Sequence, residues 1–154
     1  MKIVSGGSTG VDRAALDAAL AAGFPCGGWA PADRMVEDGV IPDKYPLTPL
    51  PSGGYRQRTR ANVVDSDGTA LIFFNSLKGG TRLTRNLCAL ERKPYLLVDA
   101  QRLSVEEAVQ AILGFVTDHR IAVLNVAGPR ASGWPEGYDF SLTVISEVLS
   151  RSSP

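Results

Sequence analysis

The sequence has few of the residues that bind metals or form disulfides. Its 154 residues include two cysteines, Cys26 and Cys88, and a single histidine, His119. Two cysteines form neither a disulfide framework nor a metal-ligand cluster. His119 lies among charged residues at the end of a helical pattern, where a solvated helix-terminal role is expected. Metal-dependent hydrolysis and triad catalysis therefore lack their usual ligands and base.

An excess of charge and a long apolar run are also absent. Lys plus Arg and Asp plus Glu each number 16, so the formal net charge is zero. This balance argues against a strongly basic nucleic-acid-binding protein, although it leaves a local basic patch open. The longest apolar candidate, residues 14–24, is interrupted by Asp17 and Gly23 and is too short to cross a membrane. Since the first residues also do not resemble a secretory signal, we expect a cytoplasmic protein without a membrane partner.

Predicted strands and helices alternate along the chain. Strands are predicted at residues 2–5, 24–29, 69–74, 95–99 and 121–126, and helices at residues 11–22, 55–65, 82–92, 105–118 and 138–150. The apolar run TALIFF at residues 69–74 is typical of a central strand covered on both faces. The alternation predicts one α/β domain over residues 1–150, with a parallel sheet between two helix layers, and a tail at residues 151–154.

Three glycine-containing loops follow predicted strands. In an open α/β sheet, ligands bind beyond the carboxyl ends of the strands. Free N–H groups at a helix N-terminus suit an anion, glycine lets the backbone approach it, and hydroxyl or guanidinium groups add donors. The predicted ligand-binding residues in these loops are Gly6, Gly7, Ser8, Thr9, Gly10, Gly79, Gly80, Thr81, Gly128, Arg130 and Ser132.

The loops match neither of two common phosphate-binding motifs. GGSTG is not the G-x-G-x-x-G of dinucleotide-binding proteins, and no Lys-Ser/Thr pair follows it as in a P-loop. Hydride transfer and P-loop hydrolysis are therefore disfavoured. Any one loop alone is more simply interpreted as a tight turn, whereas three together favour a binding site for a phosphorylated small molecule.

The helix at residues 55–65 and the first turn of the first helix add further candidates. Tyr55, Arg58 and Asn62 share one face at helical spacing, between a long loop and the central strand. Asp12 is the one carboxylate in the first turn of the first helix. There it either complements the helix dipole, or orders the glycine loop and binds an N–H group of a ligand.

The irregular segment 30–54 contains half of the ten prolines. A loop of that length in a compact domain is either functional or disordered. We expect Trp29, Arg34 and residues 37–39 to line or cover the pocket, with the ring of Trp29 available to a flat heterocycle.

A family resemblance is carried by five stretches in chain order: SGGSTGVDRAALDAAL, GGWAPADRMVEDGVIPDKYPL, GYRQRTRANVVDSDGT, KGGTRLT and NVAGPRAS. Together they resemble the molybdenum-cofactor carrier family over nearly the whole chain. The resemblance implies a Rossmann-like domain that binds molybdenum cofactor (molybdopterin) through its phosphate. It also implies a homo-oligomer, a dimer or tetramer.

Two wider resemblances bear on mechanism. The first and third stretches are similar to bacterial DNA-processing proteins, and KGGT lies where phosphoribohydrolases of the Lonely Guy family carry P-G-G-x-G-T-x-x-E. Thr84 stands at the position of that family's glutamate, which implies that a central acid/base group is missing. We therefore expect a carrier for molybdenum cofactor or a nucleotide. A phosphoribohydrolase-type enzyme and a single-stranded nucleic-acid module are the alternatives.

The order of the stretches implies a circular permutation. In those relatives a strand ending in Gly-Ser-Arg precedes the glycine-rich unit, whereas the similar LNVAGPRAS comes last here. The final strand would then lie between the first and third strands, in the sheet order 2-1-5-3-4. All three glycine loops would face one crevice.

Overall fold

The computed structural model describes residues 1–152. In chain order the elements are β1 (Lys2–Val4), α1 (Val11–Ala22), β2 (Cys26–Gly27), β3 (Trp29–Ala30), β4 (Met35–Val36), β5 (Gly39–Val40), β6 (Thr48–Pro49), α2 (Tyr55–Val64), β7 (Gly68–Phe73), α3 (Gly79–Leu90), β8 (Tyr95–Asp99), α4 (Val105–Asp118), β9 (Val123–Ala127) and α5 (Gly137–Ser152). Among these helices, none is long and apolar enough to span a membrane.

The main sheet has the strand order β2-β1-β9-β7-β8, and every neighbouring pair is parallel. The last strand, β9, lies between β1 and β7, with Leu124 paired to Ile3 on one side and to Gly68 on the other. Because β9 is the fifth strand of this sheet in chain order, the predicted order 2-1-5-3-4 is confirmed. The carboxyl ends of β1, β9 and β7 therefore lie side by side.

Helices cover both faces of the sheet, as the alternation predicts. On one face α1, α4 and α5 share the main hydrophobic core with the sheet, and Val11, Ala15 and Ala19 of α1 are fully buried there. On the other face α2 and α3 form a smaller cluster around Val63 and Leu87. All six residues of β7 are buried, as expected of a central strand covered on both sides.

The region after β1 departs from the predicted elements. The predicted strand at residues 24–29 divides into β2 and β3, because Gly28 turns the chain with a φ of +130°. Segment 30–54 is ordered by short strand pairs and by a second core of Ala30, Ile41, Tyr45 and Leu47 packed on Leu16 of α1. These side chains give the irregular segment its own hydrophobic anchor.

The helix bounds that depart furthest from the predicted ones are the start of α3 and the end of α5. Helix α3 begins at Gly79 rather than at residue 82, so the KGGT glycines form its first turn. Helix α5 continues to Ser152, past the predicted end of the domain at residue 150, and Arg151 pairs with Glu106 of α4 at 2.7 Å. Residues 153 and 154 of the predicted tail lie outside the described residues.

Candidate functional site

A crevice of about 320 Å³ opens beyond the carboxyl ends of β7 and β9. Its walls are the loop after β7, the first turn of α3, the loop after β9 and the ring of Tyr55. From the predicted residues it gathers Tyr55, Gly79, Gly80, Thr81, Gly128 and Arg130. Two of the three glycine loops therefore meet at one site.

The first turn of α3 presents unpaired backbone donors to this crevice. Its N-cap, Lys78, makes no side-chain capping bond, and its carbonyl accepts from the N–H groups of Thr81 and Arg82. Within residues 1–152, the N–H groups of Gly79 and Gly80 donate to no partner. Two free N–H groups at the positive end of a helix dipole form an anion-binding arrangement.

Two cations line the same crevice as that helix end. Lys78 and Arg130 are exposed, line the crevice and form no ion pair within the described part of the chain. Arg130 also lines an outer groove of about 380 Å³, which contains Ser8, Glu37 and Tyr55. Its positive charge is thus available to both the crevice and the outer groove.

The first glycine loop packs against protein rather than opening to the crevice. A Cβ on Gly7 would lie 2.4 Å from Cδ1 of Leu47, and one on Gly10 would lie 2.6 Å from the carbonyl oxygen of Pro129. The N–H of Val11 donates to that same carbonyl at 3.4 Å, so the start of α1 is partly covered. Gly7 and Gly10 let the segment 30–54 and the loop after β9 pack closely on β1 and α1.

Thr9 and Ser132 hold segment 30–54 in place. Both hydroxyls donate to the carboxylate of Glu37, from Ser132 at 2.6 Å, and the Ser132 N–H donates to it at 3.2 Å. These hydrogen bonds, that of Ser132 first, lower the pKa of Glu37. Glu37 thus joins the first and third glycine loops through their hydroxyl groups.

Trp29 and Arg34 lie outside the crevice. The indole N–H of Trp29 donates to Asp65 at 2.6 Å, and the ring lines a separate surface pocket. The guanidinium of Arg34 donates to the carbonyls of Leu47, Ile41 and Pro42 within segment 30–54. The tryptophan that does line the crevice is Trp134, which the sequence reasoning missed. The available signal was its position two residues after Ser132 in the third loop.

Behind the Tyr55 ring lies a small polar chamber of about 20 Å³, lined among others by Asp12, Arg58, Asn62, Thr84 and Asn125. Tyr55, Gly80 and Gly128 line both the chamber and the crevice. The face of α2 that carries Tyr55, Arg58 and Asn62, predicted to bind ligand, forms one wall of the chamber. Arg58 donates to the Gly6 carbonyl at 2.6 Å and lies 4.5 Å from the Tyr55 ring centroid, while Asn62 exchanges two hydrogen bonds with the Trp29 backbone.

Two further polar groups of the chamber bear on its chemistry. Thr84, at the position of the phosphoribohydrolase glutamate, donates its hydroxyl to the Gly80 carbonyl at 2.8 Å. Burial raises the pKa of Asp12 to about 6, against the lowering effects of the Arg58 guanidinium and nearby backbone N–H groups. Asp12 is therefore the chamber's one group that titrates close to neutral pH.

The raised pKa of Asp12 predicts an unusual pH dependence of stability. The folded state holds the proton of the Asp12 carboxyl more tightly than the unfolded chain does. The contribution of this proton to the free energy of unfolding is therefore greatest below pH 3.8 and is lost as pH rises through about 6. Between about pH 5 and about pH 7.5 we expect the free energy of unfolding to fall by about 1–2 kcal/mol on this account.

Urea unfolding at the two pH values measures this effect. The fall should disappear in Asp12→Asn and persist in the control Asp139→Asn, which changes an exposed carboxylate in the first turn of α5. An identical pH dependence in wild type and Asp12→Asn would show that another group is responsible.

The comparisons with known proteins agree with this architecture. The chain matches the model of the Circularly permutated YpsA SLOG family over residues 3–149. It is similar to the crystal structure of "Putative molybdenum carrier protein" from Syntrophus aciditrophicus SB, with 45% identity and a TM-score of 0.92 over 96% of this chain and 93% of that chain. Among curated proteins, no sequence matches significantly. The resemblance to molybdenum carriers is thereby confirmed, and the chain belongs to the Circularly permutated YpsA SLOG family.

Proposed function

We propose that this protein binds and carries a phosphorylated heterocyclic small molecule in the crevice. The observation that carries the proposal is the first turn of α3, where the free N–H groups of Gly79 and Gly80 line the same crevice as Lys78 and Arg130. A phosphate at this position would accept from both N–H groups and meet the positive charge of the two side chains. Tyr55 and Trp134 supply aromatic faces for the heterocycle.

Molybdenum cofactor is the first candidate ligand, because the similar solved structure is named as a molybdenum carrier. The crevice volume of about 320 Å³ falls within the range of small-molecule sites. Its lining includes no cysteine, histidine or carboxylate, and residues 1–152 contain no cluster suited to a metal ion. The chain would therefore hold this cargo by its phosphate and ring system, leaving molybdenum uncoordinated by side chains.

A nucleotide is the second candidate, since it combines the same phosphate with a flat base. One observation favours a phosphoribohydrolase activity as the alternative. Burial raises the pKa of Asp12 to about 6, which suits an acid or base. We expect no release of free base from nucleoside monophosphates above the buffer control. Turnover that disappears in Asp12→Asn would instead identify an enzyme.

The ligand can be identified by mass spectrometry of small molecules released from protein purified without oxygen. Wild type should release a phosphorylated pterin or nucleotide, whereas the double variant Lys78→Ala/Arg130→Ala should release far less. Arg102→Ala is the matched control, because Arg102 is an exposed arginine outside the crevice. The proposal is wrong if wild type releases no phosphorylated compound and binds neither inorganic phosphate, AMP nor molybdopterin.

Tryptophan fluorescence should report occupancy of the crevice. Because Trp134 lines the crevice and Trp29 lies in another pocket, a bound heterocycle should quench Trp134 alone. Quenching should vanish in Trp134→Phe and survive in Trp29→Phe. The reverse pattern would place the ligand beside Trp29.

We also propose a cytoplasmic homo-oligomer, a dimer or tetramer. The supporting observation is a set of exposed apolar side chains: Tyr95 and Leu97 on the edge strand β8, 39% and 42% exposed, and Leu90 at the end of α3, 70% exposed. Covering such side chains is a common role of subunit contacts. Sedimentation velocity measures the state directly.

A further inference from the structure

The polar chamber behind Tyr55 contains two unmet hydrogen-bonding groups. Asp12 is 6% exposed and Arg58 3% exposed, yet Oδ1 of Asp12 and Nε of Arg58 have no partner among residues 1–152. The two side chains interact electrostatically but form no ion pair. A buried acceptor and a buried donor left unpaired are costly, which indicates that a further polar group belongs in the chamber.

The size and chemistry of the chamber restrict that group. A volume of about 20 Å³ holds one water-sized group. To satisfy both residues, the group must accept from the Arg58 N–H and donate to the Asp12 oxygen. A hydroxyl or a water does both, whereas a carbonyl only accepts and an ammonium only donates.

We propose that the chamber is a subsite for one hydroxyl group of the bound ligand, held between Asp12 and Arg58. This inference rests on the proposed binding of a phosphorylated ligand in the crevice. The chamber and crevice share Gly80, whose N–H is one of the two free donors at the phosphate position. The hydroxyl must therefore lie within a few bonds of the phosphate, as in a ribose 5′-phosphate.

Tyr55 forms the boundary through which the hydroxyl would enter. Its ring lines the chamber, the crevice and the outer groove, and its hydroxyl packs against Gly80. The side chain is 46% exposed, so rotation towards solvent costs mainly its contact with the Arg58 guanidinium, which lies 4.5 Å from the ring centroid. With the ring turned aside, a sugar in the crevice would reach the chamber, and the return of the ring against Gly80 would then close the wall over it. Molybdopterin itself has no sugar hydroxyl, so the subsite favours a nucleotide.

Calorimetric titration of the purified protein with AMP, 2′-deoxy-AMP, 3′-deoxy-AMP and inorganic phosphate tests the inference. In wild type, one of the two deoxynucleotides should bind about tenfold or more weakly than AMP, because its missing hydroxyl leaves Asp12 and Arg58 unpaired. In Asp12→Ala the affinities for AMP and for that deoxynucleotide should converge. Asp139→Asn, which alters an exposed carboxylate outside the crevice, should keep the wild-type discrimination.

Each other result overturns the inference. Equal affinities of wild type for AMP and both deoxynucleotides would mean that the chamber holds only water, with the proposed phosphate site intact. Wild type that binds inorganic phosphate as tightly as AMP would also show that the chamber holds no hydroxyl of the ligand. Failure of all four compounds to bind would rule out both a nucleotide ligand and the hydroxyl subsite. Binding of molybdopterin in that case would still support the carrier proposal. The wild-type comparison stands even if Asp12→Ala fails to fold.

Discussion

Replacing Gly7 by alanine is expected to lower the free energy of unfolding by about 3 kcal/mol. Gly7 has a φ of +78°, where an L side chain is strained. Its new Cβ would also lie 2.4 Å from Cδ1 of Leu47 and 3.1 Å from Cδ1 of Ile41. Since both side chains belong to the buried cluster that anchors segment 30–54, they have little room to yield. Thermal and urea unfolding measure the loss.

Gly23→Ala separates the strain from the clash. Gly23 ends α1 with a φ of +72°, close to that of Gly7, but a Cβ there meets nothing within 4 Å. The free energy of unfolding of Gly23→Ala should therefore fall only by the cost of placing an L side chain at positive φ, about 1–2 kcal/mol. Equal losses of unfolding free energy in the two variants would show that packing against Leu47 and Ile41 contributes nothing. The backbone strain at residue 7 alone would then account for the loss in Gly7→Ala.

The fold was largely predictable because its signals are local or carried by sequence order. The buried run at β7 and the helices predicted at residues 11–22 and 105–118 follow from short-range chemistry, and all three are present in the structure. The central position of β9 could not come from hydrophobic pattern alone. It followed from the order of the motifs relative to the non-permuted relatives, and β9 indeed lies between β1 and β7.

The site was predicted less completely, because its residues take their roles from neighbours distant in sequence. Gly7 looks like a phosphate-loop glycine until Leu47 is placed against it, 40 residues further on. Trp29 and Trp134 are equivalent candidates by type, and only the tertiary structure places one at the crevice. The chamber could not be foreseen, because its walls come from the loop after β1, α1, α2, α3 and β9.

Replacing Gly80 by alanine is expected to weaken AMP binding by about 30-fold while stability changes by no more than about 1 kcal/mol. Gly80 lies in the first turn of α3, where alanine fits the backbone. Its Cβ would, however, lie 1.7 Å from the Tyr55 hydroxyl. The half-exposed Tyr55 ring must therefore move, and the wall shared by the crevice and the chamber is lost.

Two comparisons make this prediction specific to the Tyr55 contact. Gly114→Ala changes a glycine inside α4 whose Cβ would meet nothing, so it should retain full AMP affinity and gain slightly in stability. In a Tyr55→Ala background the steric conflict is absent, and adding Gly80→Ala should then lower AMP affinity almost no further.

Gly80→Ala should weaken the binding of inorganic phosphate less than that of AMP, because phosphate needs the backbone N–H groups but not the Tyr55 ring. If Gly80→Ala instead weakened phosphate and AMP equally, with or without Tyr55, the methyl group would be obstructing the helix N-terminus itself, and Tyr55 would have no part in binding.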